Sequence, residues 1–331
     1  NNDAGGDTTN TVFGRLAGAS ISTGGINNTV FGSEAGNDIS TGDKNTLIGY
    51  LAGDKLSTTS QNVVIGSAAG RGAGYADNVY IGYGVANSTS SNSSNNTLIG
   101  SGVALSGAMS GGDNTALGKS SLASITSGSS NVAVGVNSLT AITSADNNVV
   151  LGYNALTTAT TAYSNVVIGK DAMEQVPAGQ AVNSCVAIGL ASLKGSSSTT
   201  TGINGTISIG LSSLQSLTTG AGNLAIGLEA GKELSDNDRN IAIGYESLYN
   251  TNKAFAEDNI FIGYESGGGS WAVGSDLATG TFVNNGYDAH SSASANGFTA
   301  TTSDGATNTS SNTDHIGLTT GKKYLLEFTA T

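Results

Sequence analysis

Carboxylates recur at one kind of place in this chain: Asp43, Asp77, Asp113, Asp146, Asp238 and Asp258 each stand one or two residues before an asparagine. Such groups can hold a hard cation through their oxygens, or work in pairs on a glycosidic bond. The densest cluster is Ser235-Asp236-Asn237-Asp238, which makes Asp236 and Asp238 the candidate ligands for Ca²⁺. The other carboxylates are spread along the chain at turn positions, where Asp serves simply as a turn residue. His290, His315 and the lone Cys185 are too far apart in sequence to suggest a metal cluster. Gly267-Gly268-Gly269 is not followed by the Lys-Ser or Lys-Thr of a phosphate loop. The residues therefore predict no catalytic group and no resident cofactor, with Ca²⁺ as the one metal to consider. Aromatic side chains offer a different chemistry, that of stacking on sugar rings. Trp271 and Tyr287 are the candidate glycan contacts, with core packing the competing role for Trp271. Tyr50, Tyr83, Tyr153, Tyr245 and Tyr264 each follow a glycine directly, at a place expected to be partly exposed.

What must position these residues is a short phrase that returns fifteen times, closing at Gly14, Gly32, Gly49, Gly66, Gly82, Gly100, Gly118, Gly135, Gly152, Gly169, Gly189, Gly210, Gly227, Gly244 and Gly263. The spacing stays close to 17 residues except before Gly189 and Gly210, where it is 20 and 21. Repetition on this scale marks units that stack on one another instead of closing a globular core. Each phrase opens on Asn, as at Asn62, Asn148 and Asn240, with Cys185 and Thr206 as the exceptions, and ends on Gly, as at Gly66, Gly152 and Gly244. Between them lie a mostly β-branched residue, a middle residue and a large apolar residue, such as Val63, Val64 and Ile65. That composition bounded by Asn and Gly reads as a strand. The fold class predicted is all-β: a parallel β-roll or β-solenoid of about fifteen coils over residues 1–267.

Side chains alternate along a strand, so the middle residue faces away from its two neighbours. The large apolar position, Phe13 through Ile262, is expected to fill the coil's own core. The middle position, Val12 through Phe261, is never charged, and a solenoid with one solvated face would show polar residues there. Both faces therefore read as buried, the second against another copy of the chain. Asn at one corner is expected to take a left-handed turn and to form a hydrogen-bonded ladder. Gly at the next corner allows close backbone approach.

The links between phrases, such as residues 37–44, 57–61 and 157–164, are rich in turn residues, and the inserted segments 174–184 and 195–205 read as surface excursions. Cys185 is expected to be a small buried residue without reactivity. From residue 268 the phrase stops. Residues 268–331 contain Trp271, both histidines and the alternating run Tyr324-Leu325-Leu326-Glu327-Phe328-Thr329, which predicts part of an antiparallel β-sandwich-like region. The chain is expected to be a piece of something longer. A formal net charge of −12 gives no attraction for nucleic acid or anionic membranes. No run approaches the roughly 20 apolar residues of a membrane-spanning helix.

The phrases Asn131-Val132-Ala133-Val134-Gly135 and Asn240-Ile241-Ala242-Ile243-Gly244 resemble the head repeats of trimeric autotransporter adhesins, and similar repeats in bacteriophage tail fibre proteins. The resemblance covers about residues 10–267. It implies a parallel β-roll packed as a homotrimer, and a role in attachment to a host surface. The longer period and the β region in place of a helical stalk favour a structural and host-attachment fibre of a virion appendage over a bacterial surface adhesin head. The implied partners are further copies of the chain, other fibre or baseplate proteins, and a host surface glycan or protein. A glycan-degrading spike is the enzyme alternative.

Overall fold

The computed structural model describes residues 9–72, 76–88, 93–105, 109–196, 200–249, 258–267, 299–301 and 307–309. Fifteen three-residue strands, from Thr11–Phe13 to Ile260–Ile262, form one sheet in which each pairs in parallel with the strand one coil before and one coil after. The register is strict: Val63 lies beside Thr46 and Val79, Val64 beside Leu47 and Tyr80, and Ile65 beside Ile48 and Ile81. The chain thus builds a β-solenoid, as the repeat predicts. It divides into two compact units, residues 1–268 and 269–331. In the second unit the described part is the antiparallel pair Thr299–Thr301 and Thr307–Thr309; Trp271, Tyr287, His290, His315 and the Tyr324–Thr329 run lie outside the described residues.

The two faces of the strand are the reverse of the expectation. The middle residue is the one that fills the coil: Val64, Leu98, Ala133 and Val167 are fully buried, whereas Phe13, Phe31 and Ile262 are 67, 53 and 65% exposed. The inversion follows from core size. A coil of about 17 residues encloses little space, and that space is filled from several sides at once. One contributor is the small residue three positions after the closing Gly (Ala17, Ala52, Ser138). A second is an aliphatic residue seven positions after it (Ile21, Leu56, Ile125, Ile142), a core column that the repeat phrase stops short of.

Volumes across this core compensate. Where the strand's middle residue is large, the position four after the closing Gly is small, as in the pair Leu47 and Gly53. In four of the five coils whose middle residue is Ala that position is Leu, as in the pairs Ala116 and Leu122 or Ala133 and Leu139, with both leucines buried; the exception is Ala225 with Gly231. These two leucines sit at φ +50°, a left-handed conformation that costs a non-glycine residue roughly 1 kcal/mol. Burying the side chain returns roughly 2 kcal/mol. At Gly53 an added Cβ would lie 2.9 Å from both the Leu47 and Leu56 side chains. We expect Gly53→Leu and Leu47→Ala each to destabilise the fold by about 2–3 kcal/mol, through overpacking and a cavity respectively. The double variant, which recreates the Ala133 and Leu139 arrangement, is expected to lose at least 1 kcal/mol less than their sum; additive losses in a chemical-denaturation cycle would refute the compensation.

The inserted segments also differ from the expectation. Ala181–Asn183 is a strand and pairs in parallel with Thr161–Tyr163 in a second, two-stranded sheet. Val176, Val182 and Ile203 are fully buried. Part of each insertion is therefore core, because its apolar residues are drawn into the same interior that the regular coils fill.

Candidate interaction face

Every asparagine of the ladder is buried or nearly so, and each that follows another asparagine rung donates to it; Asn223, which follows Thr206, instead donates to the Gly220 and Asn237 carbonyls. Asn62 donates its backbone N–H and its Nδ2 to Asn45 Oδ1, at 3.1 and 3.0 Å. Its own Oδ1 accepts the same two groups from Asn78, each at 3.2 Å. Asn148 and Asn240 do likewise. The ladder is as predicted, but the left-handed residue is the one before the asparagine: Gln61, Asn147 and Arg239 have φ of +64°, +61° and +54°. The Asn itself needs extended backbone to lead into the strand. Gly66, Gly152 and Gly244 have φ of +134°, +151° and +133°, and each backbone packs against the next glycine of the column.

Cys185 takes both roles of the missing asparagine. Its backbone N–H donates to Asn165 Oδ1 at 2.9 Å, and its Sγ donates to the Ile203 carbonyl at 3.1 Å. Burial pushes the thiol up to about 11, opposed by the backbone N–H groups of Thr206 and Gly205 that it accepts. At such a value the thiol stays protonated, and Cys185 is a ladder rung rather than a nucleophile.

Asp238 accepts the Ala221 N–H at 2.6 Å, and Asp146 accepts the Ser129 N–H at 2.6 Å, so these carboxylates tie one coil to the next. Asp236 accepts from the Ser235 hydroxyl at 3.1 Å. Other carboxylates pair with cations across coils, as Asp54 does with Arg71 and Asp38 with Lys55. The Arg239 guanidinium beside Asp258 holds that carboxyl below its ordinary value. Among the described residues no group of three or more His, Cys, Asp and Glu gathers in one place.

What the structure does gather is the outward face of the fifteen-stranded sheet. Two side chains per strand stand on it, the mostly β-branched residue and the large apolar one. The residue after the closing Gly, in the turn that leaves the strand, adds a third and partly exposed column beside this face. The outer members are uncovered at both ends of the sheet: Phe13 and Phe31 stack with ring centroids 5.0 Å apart, and Tyr245 and Tyr264 stack at 5.0 Å. Tyr50, Tyr83, Tyr153, Tyr245 and Tyr264 are all exposed, as their mixed company in the sequence predicts. Lys170 lies 5.8 Å from the centre of the Tyr153 ring. Neither of the two strand columns contains a charged residue in any copy. In a chain of net charge −12 that absence picks out a surface on which charge is excluded.

Sequence reasoning assigned the middle column to a partner chain, whereas that column is buried within the coil itself. The signal that separates the two faces is the volume compensation in pairs such as Leu47 with Gly53 and Ala133 with Leu139, six positions apart, whereas Ile65 and its counterparts stay large in every copy. No protein-family model, curated protein or solved structure matches the chain.

Proposed function

We propose that residues 10–267 are the shaft of a homotrimeric attachment fibre, carried on a virion appendage such as a bacteriophage tail fibre. The observation that carries this reading is the uncharged apolar face running the length of the sheet. Fifteen strands at ~4.8 Å span roughly 70 Å, and the three residues of each strand at ~3.3 Å give a face about 10 Å wide. The product, on the order of 700 Å² per chain, approaches the ~800 Å² that each partner contributes to a stable protein interface. A self-contact suits such a face because copies related by symmetry bring like residues together, and only uncharged residues meet their own kind without repulsion. The number three comes from the resemblance of the repeats to trimeric adhesin heads and virus fibres. A stack of coils, each locked to its neighbours by an asparagine rung and a glycine contact, is a rod suited to holding a recognition element away from a particle. Sedimentation velocity on the full chain is expected to give a particle of close to three times 32.6 kDa. A folded monomer at micromolar concentration would overturn the reading.

A further inference from the structure

The outward face is not uniform along its length. In the first ten coils its third column reads Arg15, Ser33, Tyr50, Ser67, Tyr83, Ser101, Lys119, Val136, Tyr153 and Lys170, and its first column includes five threonines. In the last five coils every position of all three columns is aliphatic or tyrosine, and the third column reads Leu190, Leu211, Leu228, Tyr245 and Tyr264. Those five are 44, 43, 40, 38 and 73% exposed in the single chain. None of them has a left-handed backbone, so nothing local demands a leucine there.

We infer that the last five coils, residues 186–264, are the anchor of self-association: the segment where copies of this chain hold one another most tightly, with the first ten coils joined by a narrower and weaker contact. The occupant is a second copy of the same chain, and the inference rests on the self-association reading above. Charge decides the occupant. In a symmetric assembly a residue near the axis meets its own copies, so Arg15, Lys119 and Lys170 keep the third column of the first ten coils away from it. From Leu190 onward the third column itself carries no charge, with Glu229, Glu246 and Glu265 one residue further round the turn, and the contact widens from two columns to three. Exposed aliphatic side chains in consecutive rungs are also the costliest part of this surface to leave in water.

The test compares full-length variants by dilution in sedimentation velocity, with circular dichroism reporting the fold. Leu211→Glu/Leu228→Glu places charges in the anchor, and Ser67→Glu/Ser101→Glu places the same charges in the same column of the first ten coils. All four positions are outside the core and lack left-handed backbone. The leucine pair is expected to raise the dissociation constant at least 100-fold, and the serine pair less than tenfold. Should the leucine pair fail to fold, Leu211→Ser/Leu228→Ser gives the anchor the residues native to the other segment, and a rise of more than tenfold is expected. Equal effects of the two pairs, a larger effect of the serine pair, or leucine variants that assemble as the wild type does would overturn the anchor while leaving self-association standing. A wild-type chain that stays monomeric would overturn both.

Discussion

Gly66→Ala is expected to destabilise the solenoid by about 4 kcal/mol and to unfold the coils on either side of it before the rest. An ideal Cβ at Gly66 would lie 2.2 Å from the carbonyl oxygen of Gly82 and 2.7 Å from its carbonyl carbon. Both are backbone atoms of the next coil, so no side chain can swing aside. The φ of +134° adds a second obstacle, since that region is essentially reserved for glycine and costs other residues roughly 1–3 kcal/mol. Moving the coils apart to admit the methyl group would break the Gly82 N–H to Ile65 carbonyl bond of 2.8 Å, and with it the parallel ladder. Because each coil touches only its neighbours, the damage should stay local. Hydrogen exchange is the measurement: faster exchange at Val63–Ile65 and Val79–Ile81, with distant coils such as Ile241–Ile243 protected as in the wild type. Unchanged protection at Val79–Ile81 would show that the glycine column is not the constraint it looks to be. By contrast, Gly179 has open space around it, and Gly179→Ala is the control for the bare cost of left-handed backbone.

Strands, register and both corners were legible in the sequence because the coil imposes them residue by residue. A glycine that must pass within van der Waals distance of another glycine cannot vary, and Gly66 through Gly263 do not. What was illegible was direction. Alternation tells apart the two faces of a strand only when one is polar, and Val64 and Ile65 are both apolar. The interior resolves the question through packing, in the pairing of Leu47 with Gly53 and of Ala133 with Leu139, which links positions six apart in sequence. The column of Ile21, Leu56 and Ile125 was hidden for a different reason: it lies in the variable link, among Ser, Thr and Gly that look like solvent-exposed turn. Polar composition misled in the same way at residues 157–164 and 174–184, where Ala162, Val176 and Val182 are buried among polar neighbours. The candidate site suffered most, since the outward face can be named only once inward and outward are known.

Asn148→Ala should cost about 3–5 kcal/mol, with little change in the side-chain volume that the apolar core sees. Asn148 is fully buried and its Nδ2 donates to Asn131 Oδ1 at 3.0 Å, to the Asp146 carbonyl at 3.2 Å and to the Ala162 carbonyl at 2.6 Å. Its Oδ1 accepts the backbone N–H and Nδ2 of Asn165, at 3.1 and 3.0 Å. Truncation therefore strips several buried groups at once. Asn165 Nδ2 keeps the Val182 carbonyl at 2.8 Å, but the Asn165 backbone N–H loses its acceptor and the Ala162 carbonyl loses its side-chain donor. Each buried polar group left without a partner costs roughly 1–3 kcal/mol. The chain supplies its own comparison at Cys185, where a thiol occupies the same slot with longer, weaker bonds and the ladder persists. One coil further on, the Thr206 hydroxyl is buried without a hydrogen-bond partner. If rung chemistry sets the energy, Cys185→Asn should stabilise the chain by about 1 kcal/mol, since Asn165 Oδ1, the Ile203 carbonyl and the Thr206 N–H already stand where an amide would meet them. Chemical denaturation of the two variants should thus shift the midpoint in opposite directions. A loss under 1 kcal/mol for Asn148→Ala would mean that the stacked asparagines decorate the corner, and that the strand hydrogen bonds and the glycine column hold it unaided.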